Sequence, residues 1–66
     1  MDARTLTRTL PGGRWHGSYG SALCLAHDDK TPSLSIRDGD RGVLVKCHAG
    51  CEQYAVVAAL RMRGLW

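Results

Sequence analysis

Two short pairs of metal-binding residue types constrain this chain more than any other feature. Cys24 and His27 are separated by two residues, Cys47 and Cys51 by three, and nineteen residues lie between the pairs. Structural Zn²⁺ takes four tetrahedral nitrogen and sulfur ligands, which two such pairs at the ends of a hairpin can supply. Four protein ligands leave no open coordination position, as is typical of a structural site rather than a catalytic one. The sequence therefore predicts one structural Zn²⁺ bound by Cys24, His27, Cys47 and Cys51.

A chain of this length needs stabilisation beyond that of its hydrophobic core. A core built from 66 residues with no Phe and eight Gly rarely supplies more than about 3–5 kcal/mol. Disulfides among the three Cys would leave one thiol over. The opening residues do not resemble a signal segment, and the longest apolar run, residues 55–60, is too short to span a bilayer. We therefore expect a cytoplasmic protein without a membrane partner, whose clustered Cys bind metal.

Two other residues are alternatives for the fourth ligand. The spacing of the second pair is wide, and the pair His48-x2-Cys51 would restore the common two-residue spacing. We favour Cys47 because thiolate is the preferred ligand of structural Zn²⁺. His16 is the weaker alternative, because it fits better as a strand residue whose polar tip lies near solvent.

Two neighbouring segments have the residue patterns of strands. Residues 33–37 alternate polar and apolar side chains as a half-buried strand does, and residues 43–47 contain β-branched residues and form the expected partner strand. The turn at 38–42 contains two Gly suited to positive φ and joins these strands as a hairpin. Residues 14–16 and 21–24 flank a Gly-rich turn and predict a second hairpin. We therefore expect an antiparallel sheet of three to four strands.

Helical spacing occurs at both ends of the chain. Leu6 and Leu10 lie four residues apart and indicate a short helix, and residues 52–63 have helical spacing, with Gly64 placed to end that helix. The fold class is therefore a small α+β zinc ribbon with a C-terminal helix and a short N-terminal helix. The expected single domain of residues 1–66 divides into an N-terminal extension or short helix at 1–11, the ribbon at 12–51 and the helix at 52–64.

The charge is mildly basic. The formal net charge is +3 and the pI is about 9.1. Such a balance favours a nucleic acid over an acidic partner without establishing either. The Lys and Arg residues are spread along the chain rather than bunched.

Residues 24–35, with the sequence CLAHDDKTPSLS, resemble the C-P-x-H-x-x-x-T-P-S stretch of the zinc-binding domain of DNA primases. The most similar variants begin phage and plasmid primase-helicase proteins that carry a Toprim catalytic domain. In those variants Gly-Arg-Trp-x-Gly precedes the first Cys and C-H-x-G-C closes the ribbon, matched here by residues 13–17 and 47–51. The likeness covers residues 12–65, with Leu25 where the family usually has Pro.

The resemblance implies a role in DNA replication, in which the domain binds single-stranded DNA template and helps to select where a primer starts. It does not imply catalysis by this chain. A Toprim centre needs a Glu and an Asp-x-Asp set to hold Mg²⁺, and Asp38-Gly39-Asp40 lies in a predicted turn with nothing to complete such a site. We therefore expect no enzyme activity from the chain itself, whether it is free-standing or a domain of a primase.

Binding to single-stranded DNA needs cations for phosphates and an exposed ring for base stacking. Trp15 fits better as a core residue, and Arg37 and Lys46 should share a face of the sheet. Four acidic residues, Asp28, Asp29, Asp38 and Asp40, would oppose nearby phosphates. The candidate nucleic-acid-binding residues are Arg14, Tyr19, Lys30, Arg37, Arg41 and Lys46.

The alternative hypothesis is a protein-interaction or inhibitor module of phage or plasmid type that uses the same zinc fold. The predicted helix at 52–63 is apolar over most of its surface, and Leu65 and Trp66 follow it. This end of the chain would then contact a primase-helicase catalytic domain or another protein.

Overall fold

A four-stranded antiparallel sheet with two helices forms the fold, which confirms the expected α+β class. The computed structural model describes residues 2–28 and 30–66, and the strands follow one another in the order β1-β2-β3-β4. Neither described helix is long and apolar enough to cross a membrane. The elements are α1 (Ala3–Thr9), β1 (Arg14–Trp15), β2 (Gly20–Ala22), β3 (Leu34–Gly39), β4 (Gly42–Cys47) and α2 (Gln53–Met62).

The hairpin of β3 and β4 is the longest pairing in the sheet. Its register runs from Leu34 opposite Cys47 to Gly39 opposite Gly42, so only two residues connect the strands. The expected turn at 38–42 was too long, because its first two residues extend β3 and its last begins β4. Only Gly42 of the two turn glycines has positive φ, at 136°.

The sheet has an inner face that forms the core and an outer face that neither of the two described helices covers. Leu34 and Ile36 of β3 and Val45 and Cys47 of β4 are buried together with residues of both helices. Residues at alternate positions of a strand point to opposite faces. The outer face therefore carries Ser35, Arg37, Leu44 and Lys46, and, through the β1–β2 pairing, Arg14 and Ser21.

The N-terminal helix is tied to β3 by a hydrogen bond between residues 35 positions apart. The backbone N–H of Ala3 donates to Oδ1 of Asp38 at 2.9 Å, and the N-cap residue Asp2 accepts from the N–H of Thr5 at 2.7 Å. Two carboxylates thus accept hydrogen bonds from two of the N–H groups that have no partner within the helix at the start of α1. The same helix also packs on β2. Thr7 lies so near Gly20 that a side chain at position 20 would clash with it.

The C-terminal helix ends as expected. Gly64 follows the C-cap Arg63 with φ of 72°, and its N–H donates to the carbonyl of Arg61 at 3.0 Å. The N–H of Leu65 donates to the carbonyl of Leu60 at 2.9 Å. These two bonds form a Schellman motif, which satisfies carbonyls in the last turn and returns Leu65 to the core, where it is partly buried.

We predict that Asp38→Ala lowers the free energy of unfolding by about 1 kcal/mol, because α1 loses an acceptor for its first N–H. The melting temperature of so small a domain should then fall by about 4–8 °C. Asp40→Ala, at the exposed tip of the same hairpin, is the matched control and should change little. Equal losses in the two variants, measured by thermal unfolding, would contradict the role assigned to Asp38.

Candidate metal centre

Strand directions bring the two ligand pairs to the same end of the sheet. Both β2 and β4 are antiparallel to β3, so they run in the same direction. Their last residues, Ala22 and Cys47, are both opposite Leu34. Cys24 follows the end of β2 by two residues, and Cys51 precedes the N-cap of α2.

The four side chains converge on one point. One nitrogen or sulfur atom each from Cys24, His27, Cys47 and Cys51 lies within 4.8 Å of the others, and Nδ1 of His27 is 2.9 Å from Sγ of Cys51. Tetrahedral bonds to Zn²⁺ of about 2.3 Å from sulfur and about 2.0–2.1 Å from nitrogen place ligand atoms about 3.5–3.8 Å apart. The four residues are therefore placed to hold a metal ion with only small adjustments.

The surroundings of Cys47 favour its thiolate. Burial opposes ionisation, but N–H groups of Cys51 and Ala49 and the hydroxyl of Ser33 are directed at the sulfur and lower the pKa of Cys47 to about 6. The Ser33 oxygen is 3.7 Å from that sulfur. Hydrogen bonds to the charged form of a group favour that form. One of the three sulfurs is therefore prepared to act as a metal ligand.

The other two thiols are held in their neutral form when no cation is present. Burial raises the pKa of Cys24. Burial, together with the neighbouring Cys47 and Cys24, raises the pKa of Cys51 to about 11. Three thiols at one point cannot all ionise in low dielectric without a compensating positive charge. A divalent cation supplies that charge and deprotonates its thiol ligands.

Neither alternative ligand lies in the cluster. Because His48 follows Cys47 directly, its side chain points to the opposite side, where Nε2 is 2.7 Å from Oγ of Ser35. His16 is exposed, and its Nε2 is 2.9 Å from Oγ of Ser21. The geometry thus favours Cys47 over His48. His16 is near solvent as expected, but it is not the strand residue that was predicted, because β1 ends at Trp15.

Four of the six candidate nucleic-acid-binding residues lie together. Arg14, Arg37 and Lys46 are on the outer face, and Tyr19, 44% exposed, is beside them in the β1–β2 turn. Lys30 is exposed in the loop after His27, and Arg41 is at the tip of the β3–β4 hairpin, so neither is on the strands of this face.

The remaining expectations have mixed outcomes. Trp15 is partly buried against the core, as expected. Asp29, expected to oppose phosphate, lies outside the described residues. Ser21, Ser35 and His48, which share the outer face, were not among the sequence candidates, although strand alternation was the signal that could have identified the two serines.

No protein-family model, curated protein or solved structure matches this chain. Assignment of a function therefore depends on the geometry of the metal centre and of the outer face.

Proposed function

We propose that the chain is a non-catalytic zinc domain that binds single-stranded DNA through the outer face of its sheet. The observation that carries this proposal is the presence of three cations and an exposed ring on one sheet face, which neither described helix covers. The resemblance to primase zinc domains supports the same function.

The donor set supports Zn²⁺ as the metal. Three thiolates and one imidazole suit a borderline-soft ion that accepts tetrahedral geometry, whereas Mg²⁺ and Ca²⁺ require oxygen ligands. Four protein ligands fill the coordination shell, so the ion stabilises the fold and offers no position to a substrate. It would connect the end of the sheet to the start of α2, because Cys47 ends β4 and Cys51 precedes α2.

We predict one Zn²⁺ per chain and loss of the fold on chelation. Structural zinc contributes about 10–16 kcal/mol in finger peptides at neutral pH, more than a core of this size supplies. Elemental analysis should find the metal, and circular dichroism should show unfolding in excess chelator. A purified sample that is folded and free of metal would contradict a structural role for zinc.

The choice of fourth ligand gives a second prediction. Cys47→Ser should abolish zinc retention, because it removes a buried sulfur from the cluster. His48→Ala is the matched control one residue away, and it should retain zinc because its ring contacts Ser35 instead. Dialysis followed by metal analysis separates the two, and zinc loss in the His48 variant alone would identify His48 as the ligand.

Cations on the outer face support contact with a phosphate backbone. Arg37 is opposite Leu44 and Lys46 is opposite Ser35 in the β3–β4 register, so the two cations lie diagonally across neighbouring strands. Arg14, opposite Ser21, extends the positive charge to β1. Cations placed along a groove or face follow the backbone of a single strand without reading its sequence.

A stacked pair of rings supports base binding next to these cations. The rings of His16 and Tyr19 have centroids 4.8 Å apart and an interplanar angle of 29°. The His16 ring is further held by the hydroxyl of Ser21, so Tyr19 is supported from one side. An exposed and supported aromatic ring accepts a base with less ordering cost than a freely rotating one.

Two hydroxyl groups lie between Arg14 and Lys46 in the register of the sheet. Ser21 and Ser35 are directly opposite in the β2–β3 pairing, and His16 and His48 hydrogen-bond to them. Such hydroxyls and imidazoles offer hydrogen-bonding groups to the phosphates or sugars of a strand.

The carboxylate next to Arg37 in the sequence does not lie on the outer face. Asp38 is opposite Val43 in the β3–β4 register and therefore belongs to the inner side of the sheet. Its Oδ1 accepts from the N–H of Ala3, and its charge is partly balanced by the positive end of α1. Asp28 and Asp40 are exposed in loops rather than on the strands of the face.

We predict micromolar or weaker binding to single-stranded DNA, with a salt slope near −0.7 for each phosphate contact. Removing Arg37 and Lys46 together should make the salt slope less negative by about 1.4. The control variant, Arg4→Ala with Arg8→Ala, removes the same charge from α1 and should leave the slope unchanged. Tyr19→Ala should cost about 1–3 kcal/mol with little salt effect. Fluorescence anisotropy across a salt series measures all three.

Absence of binding even at low salt would instead favour the protein-interaction or inhibitor module. The observation that favours this alternative is the exposed apolar surface of α2, where Tyr54 and Met62 are largely in solvent. A primase-helicase catalytic domain or another protein would then be the partner.

A further inference from the structure

The C-terminal helix carries two apolar stripes, and the core uses only one of them. Val56 and Leu60 are buried against the sheet. Tyr54, Ala58 and Met62 follow one another at intervals of four residues on the other side and are exposed, Tyr54 by 73% and Met62 by 89%. Residues at such intervals share one face of a helix.

The exposed stripe is symmetric about Ala58, and we propose that it pairs with the same stripe of a second copy of this chain. In an antiparallel pair related by a twofold axis through Ala58, residue 54 of one copy faces residue 62 of the other. Tyr54 then packs on Met62, and sulfur–aromatic contacts are favourable. The small Ala58 lets the two helix axes approach at the crossing point.

The charges on the helix favour this antiparallel arrangement. Glu52, the N-cap residue of α2, and Arg61, in its last turn, both border the groove that Tyr54 and Ala58 line. An antiparallel pair brings Glu52 of each copy towards Arg61 of the other, twice in one interface. A parallel pair would instead place like charges together, which disfavours it.

The interface would be small. A single helix pair buries less than the roughly 1,200–2,000 Å² of a stable complex, so the dimer should be weak, with a dissociation constant on the order of 0.1 mM. Since the stripe is on the side of α2 opposite Val56 and Leu60, it faces away from the sheet. The outer face stays uncovered, and dimerisation neither requires nor prevents the proposed DNA binding.

Sedimentation equilibrium of the metal-loaded chain over a range of concentrations tests the proposal. A monomer–dimer equilibrium is expected, and Ala58→Glu should weaken it at least tenfold because it places two carboxylates at the twofold axis. Arg4→Glu, an exposed change on α1, is the control and should leave the equilibrium unchanged. Metal content and circular dichroism establish that each variant is folded.

Charge reversal distinguishes this interface from other modes of association. Glu52→Arg and Arg61→Glu should each weaken the dimer, and the double variant should restore it to within about threefold, because the pairing is reciprocal. A chain that remains monomeric at millimolar concentration would overturn the proposal. So would a dimer that survives Ala58→Glu, or one that the double reversal does not restore.

Discussion

Convergence of three sulfurs and one imidazole at one end of the sheet is the constraint on which the other features depend. It arises because β2 and β4 run in the same direction on either side of β3, so that each delivers a ligand pair to the same end. Without a cation the cluster is electrostatically unbalanced, because Cys47 is prepared to ionise while burial and the neighbouring sulfurs keep Cys24 and Cys51 protonated. A divalent ion held by these residues would remove this conflict and would link the sheet, the loop after β2 and the start of α2. A core this small supplies little stability for these connections by itself.

The ligand set and most of the fold could be predicted from the sequence, because both depend on short-range patterns. The spacing of Cys24, His27, Cys47 and Cys51 indicated a metal site, strand alternation indicated the β3–β4 hairpin, and Gly64 indicated the end of α2. The choice between Cys47 and His48 could not be made from spacing, since it depends on which of two adjacent side chains faces the core. The hydrogen bond from Ala3 to Asp38 also could not be predicted from the sequence, because it joins residues 35 positions apart. No local pattern indicates which residue accepts a hydrogen bond from a distant helix N-terminus.

The side chains that stabilise the fold and the polar side chains proposed to bind a partner lie on opposite sides of the sheet. Both helices and the buried apolar residues of the strands occupy the inner side of the sheet. The cations, hydroxyls and stacked rings occupy the outer side, together with the exposed Leu44. The sheet therefore covers the core with one face and exposes polar side chains on the other. The exposed stripe of α2 points away from the sheet, so the two proposed interaction surfaces do not overlap.

Antiparallel pairing of β3 with β4 has a consequence for how the chain avoids misalignment. Side chains alternate with a period of two, so sliding β4 by one residue would turn Cys47 outward and Lys46 into the core. The sulfur would then leave the cluster, and the ion would lose one of its four ligands. A metal ion held by these four residues would therefore disfavour the shifted pairing, in addition to the burial of apolar groups. It would help to fix the alignment of β4 on β3, and with it the orientation of Arg37 and Lys46 on the opposite face of the sheet.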